Sequence, residues 1–372
     1  MMKILITGSE GFIGKNLIVR LKQYEKFELY TYDINDTEES LINALKDVDL
    51  IYHLAGVNRP EKVEEFYQGN SNLTEFIAGQ LIANNKNTPV ILSSTIQAQS
   101  DNDYGKSKKL AENVLLDYIR QGGQAYIYRL SNVFGKWCRP NYNSVVATFC
   151  YNIANDLPIK INDPQAVVTL NYIDDIVDEF LLYTEDPISK LKLNQNPLTI
   201  EKSYSTTLAD LAESLEAFKT VRNTRILPDL NDDYLKKLYS TYLSYVPFKE
   251  RECKADLKTD ERGNLFELIK SPHSGQIFVS KTKPGITRGN HYHHTKVEKF
   301  CVISGEASVK LRKIDGSDVE EYIVSGDKPS IIDIPPGYTH NITNTGSSEL
   351  ITLFWANEMF DQVQPDTYFE EV

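Results

Sequence analysis

Cysteine, methionine and tryptophan are scarce here: four, three and two residues among 372. Cys138, Cys150, Cys253 and Cys301 form no CxxC pair and no disulfide framework, so reduced thiols and a cytoplasmic protein are expected. Long apolar runs are lacking too. Nothing approaches the roughly 20 residues that span a bilayer, so no membrane insertion is expected. The opening residues 1–8 lack the apolar stretch and cleavage site of a secretion signal. Positive charge is in deficit: 40 Lys and Arg against 52 Asp and Glu give a net charge of -12. No basic run supplies a surface for a phosphate backbone, which argues against nucleic acid as a partner. Internal repeats and low-complexity tracts are missing as well.

A chain of this length exceeds one ordinary core and fits two domains. In the first half, strand-like residues 3–7, 27–33, 49–54, 90–94 and 125–130 alternate with helical stretches such as 15–23 and 106–119. That alternation predicts βαβ units and a parallel sheet covered on both faces. Helices are also expected over residues 206–221 and 229–245. Residues 246–259 are charged and read as irregular, and the domain boundary is placed there, giving domains 1–245 and 246–372. Beyond residue 260 short strands recur (276–281, 300–304, 307–312, 321–324, 330–334 and 350–355), separated by Gly and Pro turns. This pattern predicts a sandwich or barrel.

Gly8-Ser9-Glu10-Gly11-Phe12-Ile13-Gly14 lies between the first strand and the first helix. Glycines there let a dinucleotide pyrophosphate approach the backbone, and the helix N-terminus offers N–H groups to it. Asp33 follows about 20 residues on, where a carboxylate can bind the ribose hydroxyls of NAD. It reads equally well as a loop aspartate beside Asp36.

Tyr104 and Lys108 are four residues apart, one helical turn on one face. An ammonium beside the phenol is expected to lower its pKa, making it a general acid near neutral pH. Ser93-Ser94-Thr95 ends the fourth strand, at the edge where such sheets bind ligands. His53-Leu54-Ala55-Gly56 ends the third, and Arg129-Leu130-Ser131-Asn132 the fifth.

The barrel half carries its own signal. His291 and His293 alternate along a strand and so face one side. Glu298 and His340 can reach the same space from other strands. Three imidazoles and a carboxylate suit zinc, iron, manganese, nickel or copper, with zinc expected. His294 is expected to face outward. Tyr292, Tyr338 and His294 are candidates for a proton-transfer base by proximity alone.

Together these motifs resemble an extended short-chain dehydrogenase/reductase domain of Rossmann type, fused to an all-β cupin barrel. The spacings Gly285-(x5)-His291-x-His293-(x4)-Glu298-(x6)-Gly305 and Pro335-x-Gly337-(x2)-His340-(x3)-Asn344 carry the second resemblance. Nearly end to end, the chain is similar to bifunctional capsular polysaccharide synthesis enzymes. Residues 54–61, 135–145, 239–245 and 357–361 are distinctive of that group.

The resemblance implies Tyr104 as acid, Lys108 as its activator and Thr95 as third member of the triad, with Ser94 as fallback. It implies cofactor contacts at Gly8, Gly11, Phe12, Ile13, Gly14, Asp33, Leu54, Ala55, Lys108 and Asn132. The cofactor would be NADPH, although Asp33 favours NAD. The substrate would be UDP-2-acetamido-2,6-dideoxy-L-arabino-4-hexulose. The cupin would epimerise carbon 3, and the reductase would then reduce carbon 4 to give UDP-N-acetyl-6-deoxy-L-talosamine, towards N-acetyl-L-fucosamine. A homodimer is expected. The alternatives are a monofunctional reductase with a dimerising cupin, and a sensing or scaffold protein without turnover. The loop Gln97-Ala98-Gln99 departs from the family pattern, so fine specificity stays open.

Overall fold

The computed structural model describes residues 1–185, 196–224, 226–254, 258–260, 263–265, 275–358 and 363–372. His273 and part of the 357–361 segment lie outside them. Two compact units are present. One comprises residues 1–134, 142–144 and 168–205; the other comprises 135–141, 145–167 and 206–372. The second thus takes in the helical residues 206–245 that precede the expected boundary at 245/246.

In the first unit, strands β1 (Met2–Thr7), β2 (Phe27–Tyr32), β3 (Leu50–His53), β4 (Val90–Thr95) and β5 (Ala125–Leu130) form a sheet in the order β2-β1-β3-β4-β5. Every pairing is parallel. Parallel neighbours need crossovers, supplied by helices α1 (Phe12–Leu21), α2 (Glu38–Leu45), α3 (Glu64–Tyr67), α4 (Leu73–Ala83) and α5 (Asp103–Arg120). Strand alternation sorts the side chains by face. Leu5, Ile51, Leu92 and Ile127 pack with Leu41, Ile77, Leu81 and Leu115 of the helices on one side. Tyr52 stacks on Phe180 on the other. Asn132–Phe134 (β6), Val167–Tyr172 (β7) and Tyr204–Thr207 (β8) add a small sheet. The strand order reverses between β1 and β3, and such a switch point opens a ligand crevice at the carboxyl edge.

The second unit carries helices Val145–Ala154, Leu208–Thr224 and Asp233–Tyr245. The segment expected to be irregular is ordered at its start: Phe248–Arg251 is a helical turn and β9 (Glu252–Lys254) pairs with a barrel strand. Backbone pairing at a sheet edge gives a polar segment its order, which hydropathy does not report. A short hairpin, β10 (Lys258–Asp260) and β11 (Gly263–Leu265), follows.

The remaining strands are β12 (Gln276–Thr282), β13 (Thr287–Tyr292), β14 (Glu298–Ser304), β15 (Glu306–Lys313), β16 (Val319–Ser325), β17 (Ser330–Ile334), β18 (Tyr338–Asn344), β19 (Leu350–Ala356) and β20 (Tyr368–Phe369). They form two five-stranded sheets, β12-β19-β14-β17-β9 and β16-β15-β18-β13-β20. Between the sheets lies an apolar core that includes Phe300, Val309, Leu311, Ile332, Ile342 and Phe354. Among the described residues no helix is long and apolar enough to cross a membrane.

Candidate active sites of the two units

The glycine turn sits at the β1/β3 switch point. Gly8 has φ +68°, and a Cβ there would lie 2.6 Å from the Ala55 nitrogen. Only glycine allows β1 to leave the sheet this close to the Leu54-Ala55 strand end. Gly11 caps α1 with no side chain over its N–H groups, so that helix end stays open to an anion. Phe12, Ile13 and Gly14 form the first turn of α1.

Asp33 follows β2 and anchors this turn: one carboxylate oxygen accepts from Glu10 N–H at 2.7 Å, the other from Ile34 N–H at 2.9 Å. The loop-aspartate reading therefore holds in part. A carboxylate has four acceptor sites, so ribose contact is still compatible with this geometry.

Behind the turn runs a buried relay. His53 Nδ1 lies 2.7 Å from Thr7 Oγ1, and Nε2 lies 2.8 Å from Thr74 Oγ1. Thr74 donates its only proton to the Asn70 carbonyl at 2.6 Å. Its oxygen must then accept from His53 Nε2–H, so Nδ1 accepts from Thr7. Burial, with the Lys108 charge nearby, pushes His53 down to about 3 and keeps it neutral.

Two of the expected triad residues, Thr95 and Tyr104, approach each other. Asn102 caps α5, accepting from Gly105 N–H at 2.7 Å. A Cβ on Gly105 would stand 2.2 Å from the Gln97 carbonyl. Glycine after Tyr104 thus lets α5 lie against the end of β4. Thr95 lies close enough to the Tyr104 phenol to favour its ionised form, and it accepts from Gln97 N–H at 3.2 Å.

Ser94 points to the opposite face and donates to Glu112 at 2.7 Å. Glu112 also takes both arms of Arg129, at 2.8 and 2.6 Å. Strand alternation thus puts Thr95, not Ser94, on the side of Tyr104. Lys108 is fully buried and donates to the Ser93 carbonyl at 2.7 Å.

The expected lowering of the Tyr104 pKa is not found. Burial raises it, Thr95 offsets this only partly, and nearby Tyr142 adds to the rise. The lysine is the group shifted strongly: burial brings it down to about 8, with Glu112 opposing. Its ammonium is bound to the Ser93 carbonyl rather than to the phenol.

Two further neighbours were not singled out in the sequence. Asn70 clamps Val57 through both N–H and C=O, each at 2.9 Å, and donates to Ser107 at 2.9 Å. Phe66 packs its ring 5.7 Å from that of Tyr104. Asn132 is exposed and donates to the Thr169 carbonyl at 3.2 Å.

In the second unit, ligand atoms of His291, His293, Glu298 and His340 lie within 4.8 Å of one another. Cross-strand pairing of β13 with β18 sets His291 beside His340, next to a bulge between Gly289 and His291. Glu298 arrives from the facing sheet on β14. His340 Nε2 is 3.1 Å from Glu298 Oε2, and His293 Nε2 is 3.3 Å from the same oxygen. Burial would raise the Glu298 carboxyl, whereas positive charge on the His293 and His340 side of it would hold it well below the usual carboxylate range. Burial and the neighbouring imidazoles push His291 down to about 4.

His293 Nδ1 meets the Asp366 carbonyl at 2.5 Å. A carbonyl only accepts, so the proton is on Nδ1. The buried Nε2 has no hydrogen-bond partner and turns its lone pair to the carboxylate. A lone pair aimed at an anion in a dry site fits a cation between them.

His294 is buried, against the expectation of an outward face. Its backbone N–H donates to Asp366 Oδ1 at 2.9 Å, and its ring packs on Tyr292 and Tyr368. The Tyr338 hydroxyl accepts from Arg251 at 2.9 Å. Gly326 donates to the Gly305 carbonyl at 3.0 Å, continuing the β15–β16 pairing by one residue.

Residues 4–194 match the NAD dependent epimerase/dehydratase family. The chain belongs to that family. Residues 258–368 match the polysaccharide biosynthesis C-terminal domain. A Pseudomonas aeruginosa protein described as UDP-2-acetamido-2,6-beta-L-arabino-hexul-4-ose reductase is 43% identical over 370 residues, covering 99% of this chain and 98% of its own. The crystal structure of the capsular polysaccharide assembling protein CapF from Staphylococcus aureus is 46% identical, covers both chains fully and has a TM-score of 0.67. A Bacillus cereus UDP-glucuronic acid 4-epimerase structure, 20% identical with a TM-score of 0.53 and covering 59% of this chain and 83% of its own, shares the fold.

This epimerase/dehydratase chain is thus an enzyme with an extended short-chain dehydrogenase/reductase unit of Rossmann type and a cupin-like double-sheet unit. Its family takes a nicotinamide cofactor.

Proposed function

We propose that the enzyme is bifunctional. Residues 1–245 reduce the carbon-4 ketone of UDP-2-acetamido-2,6-dideoxy-L-arabino-4-hexulose with NADPH. Residues 246–372 first epimerise carbon 3. The product is UDP-N-acetyl-6-deoxy-L-talosamine, towards N-acetyl-L-fucosamine for capsule or O-antigen. The enzyme works as a cytoplasmic homodimer.

One observation carries the reading: Thr95 faces the Tyr104 phenol while buried Lys108 is held on the Ser93 carbonyl of the same strand, in a chain that also gathers three histidines and a glutamate. The names of the Pseudomonas and Staphylococcus proteins supply the substrate and the capsule context.

The order follows from acidity. A proton beside a ketone is acidic because the resulting negative charge spreads onto oxygen, and reduction removes that path. Epimerisation therefore comes first. His291, His293, Glu298 and His340 would hold one divalent ion, with zinc the best match to the donor set. Such an ion supplies positive charge against a developing oxyanion.

In the reductase unit, the open end of α1 and the Gly8 turn take the cofactor pyrophosphate. Asp33 meets its ribose, and Asn132 its nicotinamide end. The bound nicotinamide supplies the hydride. Thr95 holds the ketone oxygen, and Tyr104 gives that oxygen its proton. A phenol raised by burial stays protonated through neutral pH, as an acid must. Lys108, held by the Ser93 carbonyl, contributes its positive charge beside the reacting oxygen.

The test is incubation of the UDP-hexulose in heavy water without NADPH, then with it. Deuterium at carbon 3 before any reduction is expected. Reduction without exchange would instead support the monofunctional reading, which the reductase name of the Pseudomonas relative favours.

A further inference from the structure

The residues 363–372 run back over the cluster strand. β20 pairs with β13 at His291 and Tyr292. Asp366 sits at the start of this segment with φ 39°, the left-handed region that aspartate tolerates better than most residues. Its two polar groups both face the loop after β13. The carboxylate accepts from the backbone N–H groups of His294, Thr295 and Lys296, each at 2.9 Å, and from the Thr295 hydroxyl at 3.0 Å. The backbone carbonyl of the same residue receives His293 Nδ1–H. Lys296 tightens the contact by donating to the Pro365 carbonyl at 2.7 Å.

We propose that Asp366 is a positioning residue for the metal cluster, acting through His293. Its carboxylate gathers three consecutive N–H groups and so fixes the loop. Its carbonyl then holds the imidazole in the Nδ1–H tautomer, with Nε2 turned to the space shared with Glu298 and His340. A free imidazole on a loop exchanges tautomers and rotates; the hydrogen bond to the Asp366 carbonyl opposes both. The inference rests on the reading of the four residues as a metal site and adds to it the residue that sets one ligand's orientation. Partners that orient a ligating histidine typically change metal affinity by about 10- to 100-fold when removed.

The experiment uses the full chain, stripped of metal and titrated with cobalt(II) against a chromogenic chelator, with visible absorption recorded. Asp366→Ala is expected to weaken cobalt binding about 10- to 100-fold and to shift the absorption bands, because His293 no longer presents Nε2. Asp366→Asn keeps an oxygen for the loop N–H groups and is expected to recover most of both. Thr295→Val removes one hydrogen bond to the carboxylate and is expected to lie between Asp366→Asn and the parent chain.

Wild-type affinity and an unaltered spectrum in Asp366→Ala would overturn the inference. It is equally overturned if Asp366→Asn is as impaired as Asp366→Ala and both lose the barrel's thermal transition, since the residue is then merely structural. A parent chain that takes up no cobalt sinks the metal reading itself, which separates the two failures.

Discussion

The two candidate sites differ in how complete they are without a ligand. In the reductase unit several of the polar groups discussed above have partners inside the protein: Lys108 on Ser93, Thr95 on Gln97, and His53 on two threonines. In the barrel unit one nitrogen of the cluster lacks such a partner, for His293 Nε2 is buried, unpartnered and 3.3 Å from a carboxylate oxygen. The first site is preorganised and waits for substrate. The second holds three imidazoles and an anion in an arrangement that a cation would relieve. Preorganised donors act at the moment of reaction, whereas an incomplete cluster couples its ligand to the stability of the unit around it.

That contrast predicts separable losses. Tyr104→Phe removes only the proton donor and is expected to lower the reduction rate about 10²- to 10⁴-fold. Deuterium incorporation at carbon 3 should continue at the parent rate, because the barrel chemistry does not use the phenol. Stopped-flow NADPH oxidation and NMR exchange on the same preparation measure both. Exchange that falls together with reduction would merge the two sites into one.

Next in size is the ion pair behind the triad. Glu112 and Arg129 are both largely buried, and Glu112 also anchors Ser94. Glu112→Ala leaves Arg129 without its partner. Removal of one member of a buried pair typically costs about 3–5 kcal/mol. Chemical denaturation should show this loss in the reductase unit, with the cobalt affinity of the barrel unchanged.

The barrel responds in the opposite sense, through ligand rather than residue. A metal present at about 1,000 times its dissociation constant stabilises the folded form by about 4 kcal/mol. Titrating zinc into the stripped chain should therefore raise the unfolding temperature of the barrel and leave that of the reductase unit in place. Glu298→Gln removes the charge opposite the imidazoles and is expected to abolish most of that rise.

Sequence legibility follows the same division. The parallel sheet was readable because each strand is a short apolar run bounded by a turn, and every expected strand appears within a residue or two. The four histidine and glutamate positions were readable from their spacing, although His293 lies just past the end of β13 and not on the strand as expected. Asp366 was not, since it acts through a carbonyl and a backbone-binding carboxylate 73 residues beyond His293. His294 was misplaced as surface because strand alternation was extended beyond Tyr292, where β13 ends and the chain turns under Asp366. The Tyr104 pKa was misjudged because spacing puts Lys108 on the right face without showing that its ammonium is bound to Ser93. Desolvation, which a sequence does not display, decides that electrostatics.

The smallest effect tests desolvation directly. His53 is neutral, with its pKa lowered to about 3, against about 6.5 in an unfolded chain. Between those values the unfolded state binds a proton that the folded state refuses, so stability falls as pH drops through this window and is fully present above it. At pH 5 the loss amounts to about 2 kcal/mol. The relay explains the refusal. Nδ1 accepts from Thr7, and a second ring proton would leave two hydrogens facing each other unless Thr7 turned away. His53→Gln, which does not titrate, is expected to be less stable at pH 7 yet to lose less on going to pH 5. Denaturant midpoints at the two pH values measure the difference. Equal acid sensitivity in parent and variant would assign the acid limb to other groups and leave the relay a purely structural tie between β1 and α4.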